Sequence, residues 1–312
     1  MAKVKYYYDT KTLSYKRIEL TPLNKLKRLF LTGSAGHLGH RVAKLAREWD
    51  LFYSWHSSLP DKSLLGTPIH LDLCNKRDVH KTLTRIKPDV VIHTACSNRS
   101  EDSIVPAIEN IVSTVVETST RLVHVSTDMV LDGDNAPYSD NAKANPIHPY
   151  GKAKAIAEEI ILANCASAVI VRTSLIYGIC PLDHQTKWLV DDVKLGNKVV
   201  LFTDEIRCPI WVDTLAHSLL ELADSSFHGF LNIAGPNPLN RWDFGVKLLD
   251  MLEVDLKSNI LPGLQAESGL LRPRNLTLEV DKAQHLLDTP LLNVDQAIHH
   301  MRSGLSDKTI VD

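Results

Sequence analysis

The chain has 312 residues, 44% of them hydrophobic and 23% charged, which suits one large or two small globular domains with a full core. A formal net charge of −2, with no acidic tail or long run of one sign, leaves no electrostatic footprint for nucleic acid or an anionic membrane. The five cysteines (Cys74, Cys96, Cys165, Cys180 and Cys208) are odd in number and never form a C-x-x-C pair, and no bilayer span or signal-peptide core is visible, so the expectation is a cytoplasmic protein without a metal site.

Residues 1–26 stand apart as an N-terminal extension. Lys3 to Tyr8, the polar turn Asp9-Thr10-Lys11-Thr12 and Leu13 to Leu20 read as a small hairpin, with no function assigned. From Lys27 onward strand-like and helix-like segments alternate. Strands are predicted at 28–32, 51–55, 68–71, 89–94, 121–125 and 168–172, and helices at 38–48, 76–86, 104–118 and 150–164. The runs Val90-Val91-Ile92, Leu122-Val123-His124-Val125 and Val169-Ile170-Val171 are continuous rather than alternating, as expected of strands covered on both faces. The expected fold is α/β, a Rossmann-type doubly wound parallel sheet over residues 27–174. Helices near 184–195, 213–224, 241–252 and 294–303, separated by proline-bearing loops, predict a smaller C-terminal substrate-binding lobe over residues 175–312, with some segments returning to the first domain.

The first turn of that pattern carries the strongest signal. Leu29-Phe30-Leu31 runs into Thr32-Gly33-Ser34-Ala35-Gly36-His37-Leu38-Gly39, and an amphipathic helix follows. Glycines at a strand-to-helix turn let the backbone approach a pyrophosphate, while the helix N-terminus offers oriented N–H groups. Gly33, Ala35, Gly36, His37, Leu38 and Gly39 therefore form a candidate dinucleotide cradle. Further on, Tyr150 and Lys154 open a helix four residues apart, which puts phenol and ammonium on one helical face. A neighbouring cation favours the phenolate and brings a tyrosine, whose ordinary pKa is near ~10, closer to the working range of an acid or base. Tyr-x-x-x-Lys alone is commonplace. Here it follows a strand ending in Ser126-Thr127-Asp128, which places a hydroxyl at a strand's C-terminal edge, where open parallel sheets bind ligands.

These motifs together resemble the extended short-chain dehydrogenase/reductases, whose TGxxGxxG is matched by residues 32–39. Within that branch, Val125-Ser126-Thr127-Asp128-Met129-Val130-Leu131-Asp132-Gly133 is similar to the VSTDYVFDG segment of dTDP-4-dehydrorhamnose reductases and their relatives. Arg172-Thr173-Ser174-Leu175-Ile176-Tyr177-Gly178, the loop from Asp204-Glu205 to Pro209, Asn232-Ile233-Ala234-Gly235 and Arg272-Pro273-Arg274-Asn275-Leu276 add to it, so that the likeness spans residues 28 to about 303. The resemblance implies that Tyr150 donates a proton to a carbonyl oxygen, Thr127 hydrogen-bonds that oxygen, and Lys154 holds the nicotinamide ribose and tunes Tyr150. It also implies that His93, Thr94 and Ala95 line the cofactor and that Asp72 and Leu73 lie near the adenine, although Asp72 also reads as a plain loop residue. Asp128, Arg207 and Arg272 would face the substrate, with Arg274 completing a guanidinium clamp for a diphosphate.

Cofactor choice rests on the end of the second strand. No carboxylate stands there to bind the ribose hydroxyls of NAD. Trp55-His56-Ser57-Ser58 offers His56 and Ser57 to a 2′-phosphate, which favours NADP(H) and leaves NAD(H) as a second cofactor. Two segments on the substrate side depart from the family pattern: His93-Thr94-Ala95-Cys96-Ser97-Asn98 and Asp204-Glu205-Ile206-Arg207-Cys208-Pro209. Met129 stands where nucleotide-sugar dehydratases carry a glutamate, so elimination lacks its acid and base pair. The expectation is an NADP(H)-dependent reductase of a 4-keto nucleotide sugar or other small carbonyl compound, acting as a homodimer without nucleic-acid or membrane partners. The alternatives are a nucleotide-sugar epimerase and a non-catalytic subunit like the regulatory subunit of methionine adenosyltransferase.

Overall fold

The computed structural model describes residues 4–9, 14–19, 26–96, 101–255 and 259–306. Strands β1 (Val4–Asp9) and β2 (Ser14–Glu19) pair antiparallel, from Val4 opposite Glu19 to Asp9 opposite Ser14; the expected turn between them lies outside the described residues.

The body is built on a seven-stranded, all-parallel sheet. Its strands are β3 (Arg28–Thr32), β4 (Asp50–Trp55), β5 (Thr67–His70), β6 (Val90–His93), β7 (Arg121–Val125), β8 (Val169–Arg172) and, from much later in the chain, β13 (Gly229–Asn232). The spatial order is β13-β8-β7-β6-β3-β4-β5. That order reverses direction between β3 and β6, and a crevice opens at such a switch point, beyond the carboxyl ends of the strands. The continuous apolar runs divide their side chains between two layers. Leu29, Leu31, Val90, Ile92, Val123, Val169 and Val171 join the core under α1 (His37–Leu45) and α6 (Val212–Asp224). Phe30, Val91, Leu122 and Ile170 join the core under α2 (Lys76–Ile86), α3 (Glu101–Glu117) and α4 (Pro149–Asn164). Each such side chain, taken fully out of water, contributes about 1.5–3 kcal/mol, so the sheet is the rigid frame on which the site is mounted.

Helix α1 ends at Leu45, short of the expected residue 48. Ala46 leaves helical geometry with ψ 43°, and the Trp49 N–H turns back to the Ala46 carbonyl to lead into β4. After β8 the chain forms short strands β9 (Ile176–Tyr177), β10 (Val199–Phe202), β11 (Ile206–Arg207), β12 (Ile210–Trp211), β14 (Leu239–Asn240) and β15 (Ile260–Gly263). Around them lie α5 (His184–Leu195), α7 (Arg241–Met251), α8 (Asp281–Leu286) and α9 (Val294–Ser306). The lobe has two small cores of its own, one around Tyr177 and Phe244 and one around Leu189, Leu201 and Leu249. Residues 212–232 leave it again: α6 packs beside α1 and β13 completes the central sheet. No described helix is long and apolar enough to cross a membrane.

Candidate active site

A cavity of about 320 Å³ opens at the switch point. The glycine turn, the ends of β4, β5 and β6 and the start of α3 surround it, through Gly33, Ala35, Gly36, His56, Ser57, Asp72, Leu73, Thr94 and Ala95 among others. Gly33 has φ +78°, and a Cβ there would sit 2.8 Å from the Ala95 backbone, so only glycine allows the turn to lie against β6. At Gly36 a Cβ would meet nothing closer than the Gly33 carbonyl at 3.3 Å; a larger side chain there would extend from the rim of the cavity. Gly39 serves packing instead, since its Cβ would lie 2.2 Å from the Gly33 carbonyl oxygen. Leu38 is buried in the core beneath the turn.

Two expected cofactor residues point elsewhere. His93 is buried and its Nδ1 lies 2.7 Å from Thr32 Oγ1, behind the cavity wall. The His37 ring turns toward the second lobe, where a Cβ on Gly178 would be 2.8 Å from its Nε2, and that nitrogen has no hydrogen-bond partner among the described residues. Asp61, the first carboxylate after β4, accepts from the Ser63 backbone and lies 3.7 Å from Lys44 Nζ, so it is held in its own loop. Ser97 and Asn98 lie outside the described residues.

The segments that carry the hydroxyl and the phenol are joined by tight packing. Strand β7 ends at Val125, and Thr127 caps a single 3₁₀ turn, Asp128–Val130, by accepting from the Met129 N–H at 3.2 Å. Helix α4 starts with Pro149 at its first position and the His148 ring as its cap. Its Gly151 rests on that turn so closely that a Cβ would lie 2.0 Å from the Met129 carbonyl oxygen. This contact fixes Tyr150, one residue earlier and half-buried, beside the segment that carries Thr127.

Lys154 projects from the next turn of α4 and is only 3% exposed. Its Nζ donates to the Val125 carbonyl at 2.7 Å and lies 3.0 Å from His124 Nε2. Burial pulls its pKa down to about 8, against the opposing influence of Cys96 and Glu158. Burial also lowers His93, to about 3, and lowers His124 well below the usual imidazole range, with the Lys154 charge adding to both.

On the substrate side the structure separates the expected residues. Asp128 is buried, accepting from Ser174 Oγ at 2.6 Å and from Thr127 Oγ1 at 3.2 Å, and burial raises its pKa. Arg207, expected at the substrate face, is 3% exposed. Its guanidinium donates to the carbonyls of Ile206, Pro273 and Arg274 and pairs with Glu205 at 3.3 Å, so it ties two loops together. Arg272 stays half-exposed, 3.7 Å from the same Glu205, and Arg274 is exposed. Sequence reasoning missed His124, although an imidazole inside an otherwise apolar central strand was the available signal. It also missed Arg241, whose Nη1 is buried without a partner among the described residues and whose position has no local signature. The described residues contain no cluster of three or more His, Cys, Asp or Glu side chains able to hold a metal.

Comparison with known proteins adds the following. Residues 27–306 match the RmlD substrate binding domain family. The probable low-salt glycan biosynthesis reductase Agl14 of Haloferax volcanii is 25% identical over 299 residues, covering 89% of this chain and 98% of that protein. Methionine adenosyltransferase 2 subunit beta of Xenopus tropicalis is 26% identical over 280 residues, 83% of this chain and 82% of that one. Among solved structures, dTDP-4-dehydrorhamnose reductase of Bacillus anthracis in complex with NADP superposes with a TM-score of 0.77 at 20% identity, over 88% of this chain and 98% of that chain.

Proposed function

The chain belongs to the RmlD substrate binding domain family, and from that premise we propose that it is an NADP(H)-dependent reductase of a 4-keto nucleotide sugar, able to use NAD(H) as a second cofactor. The observation that carries the reading is the seating of Gly151 on the Met129 carbonyl, which holds the Tyr150 turn against the Thr127 turn, in a chain whose sheet also carries a cavity lined by the glycine turn at its switch point. Two donors on abutting turns suit a carbonyl oxygen that gains negative charge.

The residues present fit the cofactor. The open face at Gly36 and the N-terminus of α1 suit a pyrophosphate, and Asp72 and Leu73 suit the adenosine end. His56 and Ser57 would meet a 2′-phosphate, and Asp61, the first carboxylate after β4, is engaged in its own loop. The reduced nicotinamide, when bound, supplies hydride. Tyr150 Oη then delivers a proton to the carbonyl oxygen, and Thr127 Oγ1 turns from its long 3.2 Å bond to Asp128 to donate to the same oxygen. Lys154, cationic below its pKa of about 8, favours the phenolate that Tyr150 leaves behind and holds the ribose. Asp128 keeps the Thr127 turn in place through Ser174. Arg272 and Arg274 take the substrate diphosphate, with Arg207 as the buried tie behind them.

The test is product formation. Wild-type protein is incubated with NADPH and a panel of dTDP-linked 4-keto sugars, and the alcohol is identified by mass spectrometry. Turnover of at least one panel member supports the reading. A second reading, a binding subunit without turnover, draws on the named beta subunits at 24–26% identity. It gains if every carbonyl fails while NADPH still binds.

A further inference from the structure

We propose that His124 is a positioning residue for Lys154, a neutral acceptor that holds the lysine cation at the floor of the site without cancelling its charge. The inference rests on the reading of Lys154 as ribose ligand and partner of Tyr150. Three adjacent strands place Thr32, His93 and His124 in one row across the carboxyl edge of the sheet, because Thr32 is in register with His93 and His93 with His124. The contacts follow the row. The Ala95 N–H donates to Thr32 Oγ1 at 3.2 Å, Thr32 Oγ1 meets His93 Nδ1 at 2.7 Å, and the His93 and His124 rings stack with centroids 5.2 Å apart. His124 Nε2 then meets Lys154 Nζ at 3.0 Å.

An ammonium has no lone pair, so His124 Nε2 must accept, and the ring proton resides on Nδ1. That Nδ1 is buried and has no hydrogen-bond partner among the described residues. The row therefore tolerates an unpaired donor in order to keep Nε2 facing the lysine. A protonated His124 would set two cations 3.0 Å apart in a buried site; burial first, and then the Lys154 charge, hold its pKa well below the usual imidazole range. Among the described residues Lys154 makes two hydrogen bonds, to His124 and to Val125, which leaves its third N–H for a ligand above. The other titratable groups acting on it are Cys96 from the loop after β6, His93 from β6 and Glu158 from its own helix. Glu158 is already engaged by Arg172 and Ser126. A carboxylate in place of His124 would neutralise the cation. The imidazole positions it and leaves its field intact.

The test is the pH dependence of NADPH affinity, read by fluorescence, in wild type, His124→Gln and His124→Leu. Wild-type affinity should hold below pH 7 and weaken with a midpoint near the Lys154 value of about 8. Glutamine, which can still accept at the position of Nε2, should keep that midpoint. Leucine removes the acceptor and disfavours the ammonium, so the midpoint should fall by about one pH unit, or roughly fivefold in affinity at pH 8. A leucine variant with wild-type midpoint and affinity overturns the proposal. Should that variant not fold, His124→Asn, too short to reach Nζ, takes its place, and NMR titration of the labelled Lys154 ε-methylene gives the wild-type midpoint directly. A midpoint at the ordinary lysine value overturns the proposal. Lys154→Met separates the two levels: unchanged NADPH binding in that variant sinks the parent reading, whereas weakened binding with a silent His124→Leu sinks only the role of His124.

Discussion

Two buried cations, Arg172 on β8 and Lys154 on α4, are held in opposite ways. Arg172 on β8 is fully compensated. Its Nε and Nη2 donate to the two Glu158 oxygens at 3.1 and 2.7 Å, Nη1 reaches the Ala142 carbonyl at 2.6 Å, and the guanidinium lies 4.3 Å from the Phe230 ring centre. Among the described residues Lys154, one turn before Glu158 on the same helix, hydrogen-bonds only to a neutral imidazole and a backbone carbonyl. The first arrangement locks a charge into the frame. The second keeps a charge whose field still acts on what lies above it, and whose proton comes off near neutral pH. A buried ion pair stabilises little compared with apolar packing, but breaking one side of it is costly. On the proposed reading, the first cation belongs to the scaffold and the second to the chemistry.

The largest effect should come from breaking the scaffold pair. Glu158→Ala strands Arg172 and should cost about 3–5 kcal/mol in denaturant unfolding. Arg172→Met should cost a similar amount, and the double variant less than the sum, because the two share one interaction. A Glu158→Ala protein with wild-type stability would erase the contrast drawn above. Lys154→Met should go the other way. Removing an uncompensated buried cation should leave unfolding stability equal or somewhat higher, while NADPH affinity falls.

The buried imidazoles give the next effect. His93 has a native pKa of about 3 and His124 lies well below the usual range, whereas both titrate near ~6.5 when unfolded. The unfolded chain therefore binds more protons between those values, and stability rises with pH across that window. Acidification from pH 6.5 toward 3 should destabilise the protein steadily, and His93→Gln should flatten part of that slope in urea titrations. A slope that begins only below pH 4 would assign acid sensitivity to carboxylates such as Asp132, which hydrogen bonds headed by Tyr138 lower to about 2. The smallest effect is on cofactor choice. Ser57→Asp should shift preference from NADPH toward NADH by roughly two- to fivefold, the size of one exposed like-charge contact. No change in the ratio of the two dissociation constants would remove Ser57 from the 2′-phosphate site.

The same contrast explains what the sequence discloses. Strands such as Val90-Val91-Ile92 announce themselves because both faces are covered, so the order and kind of elements up to residue 172 follow from local pattern. The two-residue strands β11 and β14 do not, since their pairing joins positions more than 30 residues apart and leaves no periodicity to read. The glycine turn, Thr127, Tyr150 and Lys154 are legible because each sits at a strand end or helix start with a fixed spacing. Arg207 is not, because an arginine in a proline-bearing loop is exposed by default. Its burial is decided by the carbonyls of Pro273 and Arg274, 66 and 67 residues later. Asp128 is hidden in the same way by Ser174 from the far side of β8. His124 is visible as an odd residue in an apolar run, but its partner is 30 residues away on another element.

The central claim is that Tyr150 gives the proton to the carbonyl oxygen, and a matched single-turnover experiment tests it most directly. Wild-type and Tyr150→Phe proteins are loaded with NADPH, mixed with a dTDP-linked 4-keto sugar that the wild type reduces, and followed by loss of the reduced nicotinamide. The account predicts a fall of about 10²- to 10⁴-fold in the rate, with NADPH affinity nearly unchanged. A phenylalanine variant that reduces the sugar at the wild-type rate contradicts it.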